Sequence, residues 1–112
     1  MNPQDTLAVL TTVGDMDAAR TLARTLVERR LAACVQLSAI ESLYRWDGAV
    51  QHEPEVRVLC KTSAGAAPAL REAIVQLHPY AVPAVYAMPL VDVHPPYAQW
   101  VGDETLAEPG TG

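Results

Sequence analysis

Two apolar, β-branched runs, AACVQLSAIESLYRW over residues 32–46 and AVQHEPEVRVLCKT over 49–62, are separated only by Asp47-Gly48. Asp-Gly between such runs favours a two-residue type I′ turn, because that turn needs positive φ at both central positions. The turn also sets the register. If Trp46 pairs with Ala49, then Val35 meets Cys60, Leu37 meets Val58 and Ala39 meets Val56. Those pairs are all apolar, so their side of the hairpin is expected to pack under helices. The other side collects Ile40, Tyr44, Trp46 and Leu59 among Ser38, Glu53, Glu55, Arg57 and Lys61. An amphipathic face of that size marks an interaction surface. Strands of about 14 residues, against a usual five or six, also overhang a small domain. Together these features predict an obligate homo-oligomer. The register further puts Cys34 opposite Lys61 and on the face away from Cys60. The two sulfurs then do not bridge, unless a β-bulge in SAIES shifts the pairing by one.

The remaining elements fall around this hairpin. TLAVLTT (6–12) is a buried strand ending at Val13-Gly14. Asp15 caps a helix along which Met16, Ala19, Leu22, Ala23, Leu26, Val27 and Leu31 form one apolar stripe, with Arg29 and Arg30 expected in the last turn. A second helix is predicted from Ala66 to His78, with Pro68 in its first turn and Leu70, Ala73, Ile74 and Leu77 facing inward. Pro79 stops it. AVYAMPLV (84–91) reads as a fourth strand, and PYAQWV (96–101) as a short terminal helix. The order βαββαβ plus a helix implies a ferredoxin-like α/β (α+β) sandwich, one antiparallel sheet with two helices on one face. Residues 1–103 are expected to form that single domain, and the polar, Pro/Gly-rich stretch from 104 to 112 a frayed tail.

Composition removes several classes of function. A net charge of −5 lacks the Lys/Arg surplus that phosphate neutralisation needs, which argues against nucleic acid. The N-terminus carries no basic segment, and its apolar run is too short for a signal or a membrane span, so the cytoplasm is expected. The three histidines, His52, His78 and His94, are scattered, and two cysteines do not make a disulfide scaffold. There is no G-x-S-x-G and no phosphate-binding glycine loop, so the chain is not expected to be an enzyme, and no organic cofactor is implied.

A few side chains stay open to two readings. His78, at the end of QLHPYAVPAVYAMP, is either a helix-end or packing residue or a metal ligand. Cys34 and Cys60 are soft donors or inert thiols. Lys61 is a solvated lysine or an anion-binding one. Trp46, Tyr44, Tyr80 and Trp100 are interface and core fillers or a stacking platform. Glu53 and Glu55 are paired acids or partners of Arg45 and Arg57 in an inter-subunit salt bridge. Gly14 suits a tight turn into a helix whose N-terminus has generic anion affinity.

AARTLARTLVERRLAACV, SLYRWDGAV, EVRVLCKTS, LHPYAVPAV and YAQW occur in that order between about Thr6 and Val101. The sharpest pieces are LAAC at a helix–strand junction, Y-x-W-x-G at the hairpin and H-P-Y-x-x-P after the second helix. In these the chain resembles the divalent-cation tolerance (CutA) family. The resemblance implies a small cytoplasmic homotrimer of ferredoxin-like subunits, similar in fold to nitrogen-regulatory proteins and linked to tolerance of copper and other divalent cations. Where the family usually has Glu after the second proline, this chain has Ala84, and Ala81 replaces a commonly polar residue. Copper-binding proposals for some members use a Cys in the first strand and a second His beside the one before Pro; here Thr11 and Leu77 stand there. Only His78 of that set remains, which implies weak binding of copper or another divalent cation. The alternative is a trimeric signalling or scaffold protein holding a small anionic ligand in inter-subunit clefts, with Lys61, Trp46 and Tyr80 as cleft residues.

Overall fold

The computed structural model describes residues 1–106. It contains β1 (Thr6–Val13), α1 (Met16–Glu28), β2 (Cys34–Trp46), β3 (Ala49–Ser63), α2 (Ala67–Leu77), β4 (Val85–Pro89) and α3 (Pro95–Glu104). The strands form one antiparallel sheet in the order β2-β3-β1-β4. This is the ferredoxin-like arrangement with an added helix.

The hairpin follows the register its turn dictates. Asp47 and Gly48 have φ of 52° and 76°, the left-handed pair that a type I′ turn requires. From Trp46↔Ala49 to Cys34↔Lys61 every couple keeps step, so no bulge intervenes in SAIES. Cys34 and Cys60 are both free thiols. Alternation along the strands then sorts the sheet into two faces. Val9, Val13, Val56, Val58 and Cys60 lie on one, beneath Ala19, Leu22 and Leu26 of α1 and Leu70, Ala73 and Ile74 of α2, and together they form the core. Asp15 caps α1 by accepting the Ala18 N–H at 2.8 Å, a bond typically worth about 1 kcal/mol.

Several boundaries differ from the sequence expectation, each for a local reason. α1 ends at Glu28, so Arg29 and Arg30 follow the last turn, and Arg30 takes a left-handed φ of 60°. That turn lets the Arg30 guanidinium donate to the carbonyls of Asp103 (2.6 Å) and Glu104 (3.3 Å), capping α3, while Leu106 N–H donates back to the Arg30 carbonyl. Leu31 therefore leaves the helical stripe, and its carbonyl accepts from Thr62 Oγ1 at 2.7 Å. Val27 of α1 and Leu77 of α2, both expected inward, are exposed at the rim of their stripes. β4 is shorter than predicted and α3 longer, reaching Glu104. Residues 104–106, placed in the tail from sequence, are held by Arg30 and by a Thr105–Ser63 hydroxyl contact of 2.9 Å. The rest of that predicted tail, 107–112, lies outside the described residues.

α3 packs against β1 and β3 on the face opposite α1 and α2, since Tyr97 sits by Lys61 and Thr105 by Ser63, both on that side of β3. It covers only the base of the face. Beyond it the hairpin runs on as an arm, and the radius of gyration is 14.6 Å, against roughly 13 Å for a compact chain of this length.

Candidate functional site

Three places carry the side chains singled out from sequence, and one chain does not bring them together. Lys61 stands at the base of the hairpin and Trp46 at its tip, about 40 Å apart along the ladder at the usual strand rise. Tyr80 lies between, where the segment after α2 crosses the end of β1.

His78 is the C-cap of α2, and its backbone leaves the helix with ψ of 136°. The side chain is buried. Nδ1 accepts the Tyr80 N–H at 3.1 Å, so the ring proton must sit on Nε2, which donates to the Thr12 carbonyl at 2.8 Å. The imidazole thus ties the exit of α2 to the end of β1, and neither nitrogen retains a free lone pair. A metal ion could reach it only by displacing one of these bonds. Among the described residues no three His, Cys, Asp or Glu side chains group as a metal site. The residues of a single chain therefore do not fit a high-affinity divalent centre. Thr11 is buried beside this link, and its hydroxyl has no hydrogen-bond partner.

Tyr80 stacks obliquely on His78, with ring centroids 4.7 Å apart, and its hydroxyl donates to Glu55 Oε2 at 3.2 Å. The same hydroxyl lies 3.4 Å from where a Gly14 Cβ would be, so that glycine leaves room for the crossing. Loss of water around the Tyr80 hydroxyl, then the hydrogen bond and charge of Glu55, hold the phenol above its ordinary range. Tyr44 is raised too, by desolvation and then by Glu53 and Glu55. Within one chain Glu55 thus faces a tyrosine, and the inter-subunit pairing with Arg45 or Arg57 would need a second copy. No Glu53 or Glu55 ion pair with Arg45 or Arg57 forms among the described residues. At the N-terminus of α1, Asp15 accepts the Ala18 N–H and puts its carboxylate where the Gly14 turn suggested generic anion affinity.

Lys61 projects from the base of the open face, half-buried. Its Nζ donates to Gln36 Oε1 at 3.1 Å and lies 5.9 Å from the centroid of the Tyr97 ring. Tyr97 in turn lies 5.8 Å from Trp100, centroid to centroid. Sequence reading did not name Gln36 or Tyr97. The register could have given Gln36, because it is diagonal to Lys61 on one face; Tyr97 needed the docking of α3.

The geometry defines a class first: a ferredoxin-like subunit whose second sheet face is half covered and whose hairpin extends past its own core. The sequence description "CutA1 divalent ion tolerance protein" matches residues 7–104, and the chain belongs to that family. It is 43% identical over 98 residues to the divalent-cation tolerance protein CutA of Thermus thermophilus, covering 87% of this chain and 95% of that one. Mouse Protein CutA is 38% identical over 111 residues, of whose length this chain spans 63%. Among solved structures, Cut A1 from Thermus thermophilus superposes with a TM-score of 0.84 at 42% identity, covering 89% of this chain and 98% of that one. CutA1 from Pyrococcus horikoshii gives 0.86 at 34%, with the same coverage. No helix of the described residues is long and apolar enough to cross a membrane.

Proposed function

We propose that the chain works as a cytoplasmic homotrimer in tolerance of copper and other divalent cations; the names of its relatives support divalent-cation tolerance. One observation carries the assembly. The sheet face opposite α1 and α2 is covered by α3 only at its base, leaving Tyr44, Trp46, Tyr86 and Met88 exposed on the remainder. Copies that turn these faces toward one another would remove that surface from water, with the long hairpins reaching across. Direct metal binding is the weaker part of the function. His78 is the tentative ligand, and its two hydrogen bonds must be partly given up before an ion can bind. Any such site is therefore expected at micromolar dissociation constants or poorer, about −8 kcal/mol or less favourable.

Calorimetric titration with Cu²⁺, run on wild type and on His78→Ala, tests this. Weak binding lost in the variant, with the mass of the assembly unchanged, is the expected result. Equal binding in both proteins removes His78 from the function and leaves the assembly standing. A nanomolar site lost on His78→Ala would mean that donors from neighbouring subunits complete it.

A further inference from the structure

Lys61 is the only lysine in the chain. It is half-buried, yet among the described residues no carboxylate comes within ion-pair distance of it, in a protein whose net charge is −5. The stem is covered while the ammonium, whose bond to Gln36 is exposed, stays within reach of a dissolved anion. The Tyr97 ring faces that ammonium, 5.9 Å from nitrogen to centroid, at cation–π range. An ammonium has three N–H donors, and only one is placed, on Gln36 Oε1. Because Gln36 presents its oxygen to the lysine, its amide NH₂ is left as a second donor at the same spot. Tyr97 and Trp100 add an aromatic wall, with Trp100 43% exposed. A cation without its anion, a neighbouring amide donor and a ring pair with Trp100 exposed therefore converge on one corner of one chain.

We propose that this corner, built by Lys61 and Gln36 with Tyr97 and Trp100, binds a small planar anion. Its carboxylate or phosphate oxygen takes the Lys61 ammonium and the Gln36 amide, and its ring lies on the aromatic wall. The site goes beyond the assembly reading above. It is made from β2, β3 and α3 of a single subunit, and neither Trp46 nor Tyr80 takes part in it.

Benzoate and adenosine monophosphate serve as ring-bearing probes, with acetate and inorganic phosphate as ring-free controls, each titrated into the full chain and followed by backbone and indole NMR shifts. Saturable shifts at Lys61, Gln36, Tyr97 and the Trp100 indole are expected with a ring-bearing probe; benzoate alone assigns a carboxylate, the nucleotide alone a phosphate. Lys61→Met is expected to weaken binding by about tenfold or more, as loss of a charge-assisted hydrogen bond does, while Lys61→Arg retains it. If Lys61→Met does not fold, acetylation of wild type by an N-hydroxysuccinimide ester, read on the Lys61 peptide, is expected to slow at saturating probe. No saturable shift with any probe, or equal binding in folded Lys61→Met, would overturn the site. Equal binding of acetate and phosphate would overturn its planar ligand. Light scattering on the same samples keeps these outcomes separate from a failure of the assembly, which would show as a monomer.

Discussion

The two faces of the sheet are made from the same strands, yet they finish differently. On the helix side, Val9, Val13, Val56, Val58 and Cys60 meet two helices, and the largest buried side chains, Leu26, Leu70 and Ile74, close that space within one chain. On the other side, α3 seals the base through Val101 and Thr105, and then the cover stops. Trp46 remains 58% exposed and Tyr86 53%. The helices close the first face over the core and leave Leu43 and Val50 of the hairpin arm exposed beyond them; the second face is covered by this chain only at its base. The contrast separates what folds this chain from what it does with the folded product.

Substitutions that act on one face alone should separate the two roles. The largest effect is expected from Leu26→Ala, which empties a fully buried position. It should cost about 2–5 kcal/mol in urea unfolding, the range for deleting a buried leucine side chain. Next comes Trp46→Ala, on the other face. Removing an aromatic anchor commonly costs an interface about 2 kcal/mol or more, so the assembly should dissociate at higher concentration while the circular dichroism of each subunit is retained. A large loss of subunit structure instead would mean that the open face also serves the core.

Cys60 gives a pH test of the closed face. Burial first, and then its neighbour Cys34, pushes the Cys60 thiol from 9.0 up to about 12. Below pH 9 the thiol is protonated in both folded and unfolded chains, so it adds no pH dependence. Above pH 9 the unfolded chain loses the proton and the folded one keeps it, so the Cys60 contribution to stability falls as pH rises toward about 12. Cys60→Ala should cost about 1 kcal/mol at pH 7 for the lost sulfur, and that deficit should shrink as the pH is raised past 9. A constant difference would show that Cys60 is not closed off from water. An effect as small, and of opposite sign, is expected at Thr11, whose buried hydroxyl lacks a partner. Thr11→Val keeps the shape and removes that hydroxyl, and should stabilise the fold by about 1 kcal/mol in the same urea series.

Much of this contrast was legible in the residues, because the hairpin turn and the pleat are local. Asp47-Gly48 sets the register, the register sorts the side chains, and the sorting exposes an unfilled face. The end of α1 was not legible. Arg30 adopts a left-handed turn because the carbonyls closing α3 wait for its guanidinium, and those lie more than seventy residues on. The role of His78 escaped for the same reason. Its partners are a backbone carbonyl on β1 and the N–H of Tyr80, and no side-chain pattern announces either. Lys61 was noticed, but its neighbours within one chain were not. Trp46 and Tyr80 are conspicuous in sequence, whereas Gln36 and Tyr97 gain meaning only once α3 lies across the base of the sheet.

The most direct test of an unfinished face is the mass of the wild-type protein in solution, measured by multi-angle light scattering at micromolar concentration. A mass near three subunits is expected, steady across dilution until the interface dissociates. A folded monomer at that concentration, with Trp46 and Tyr86 still in water, would contradict the account.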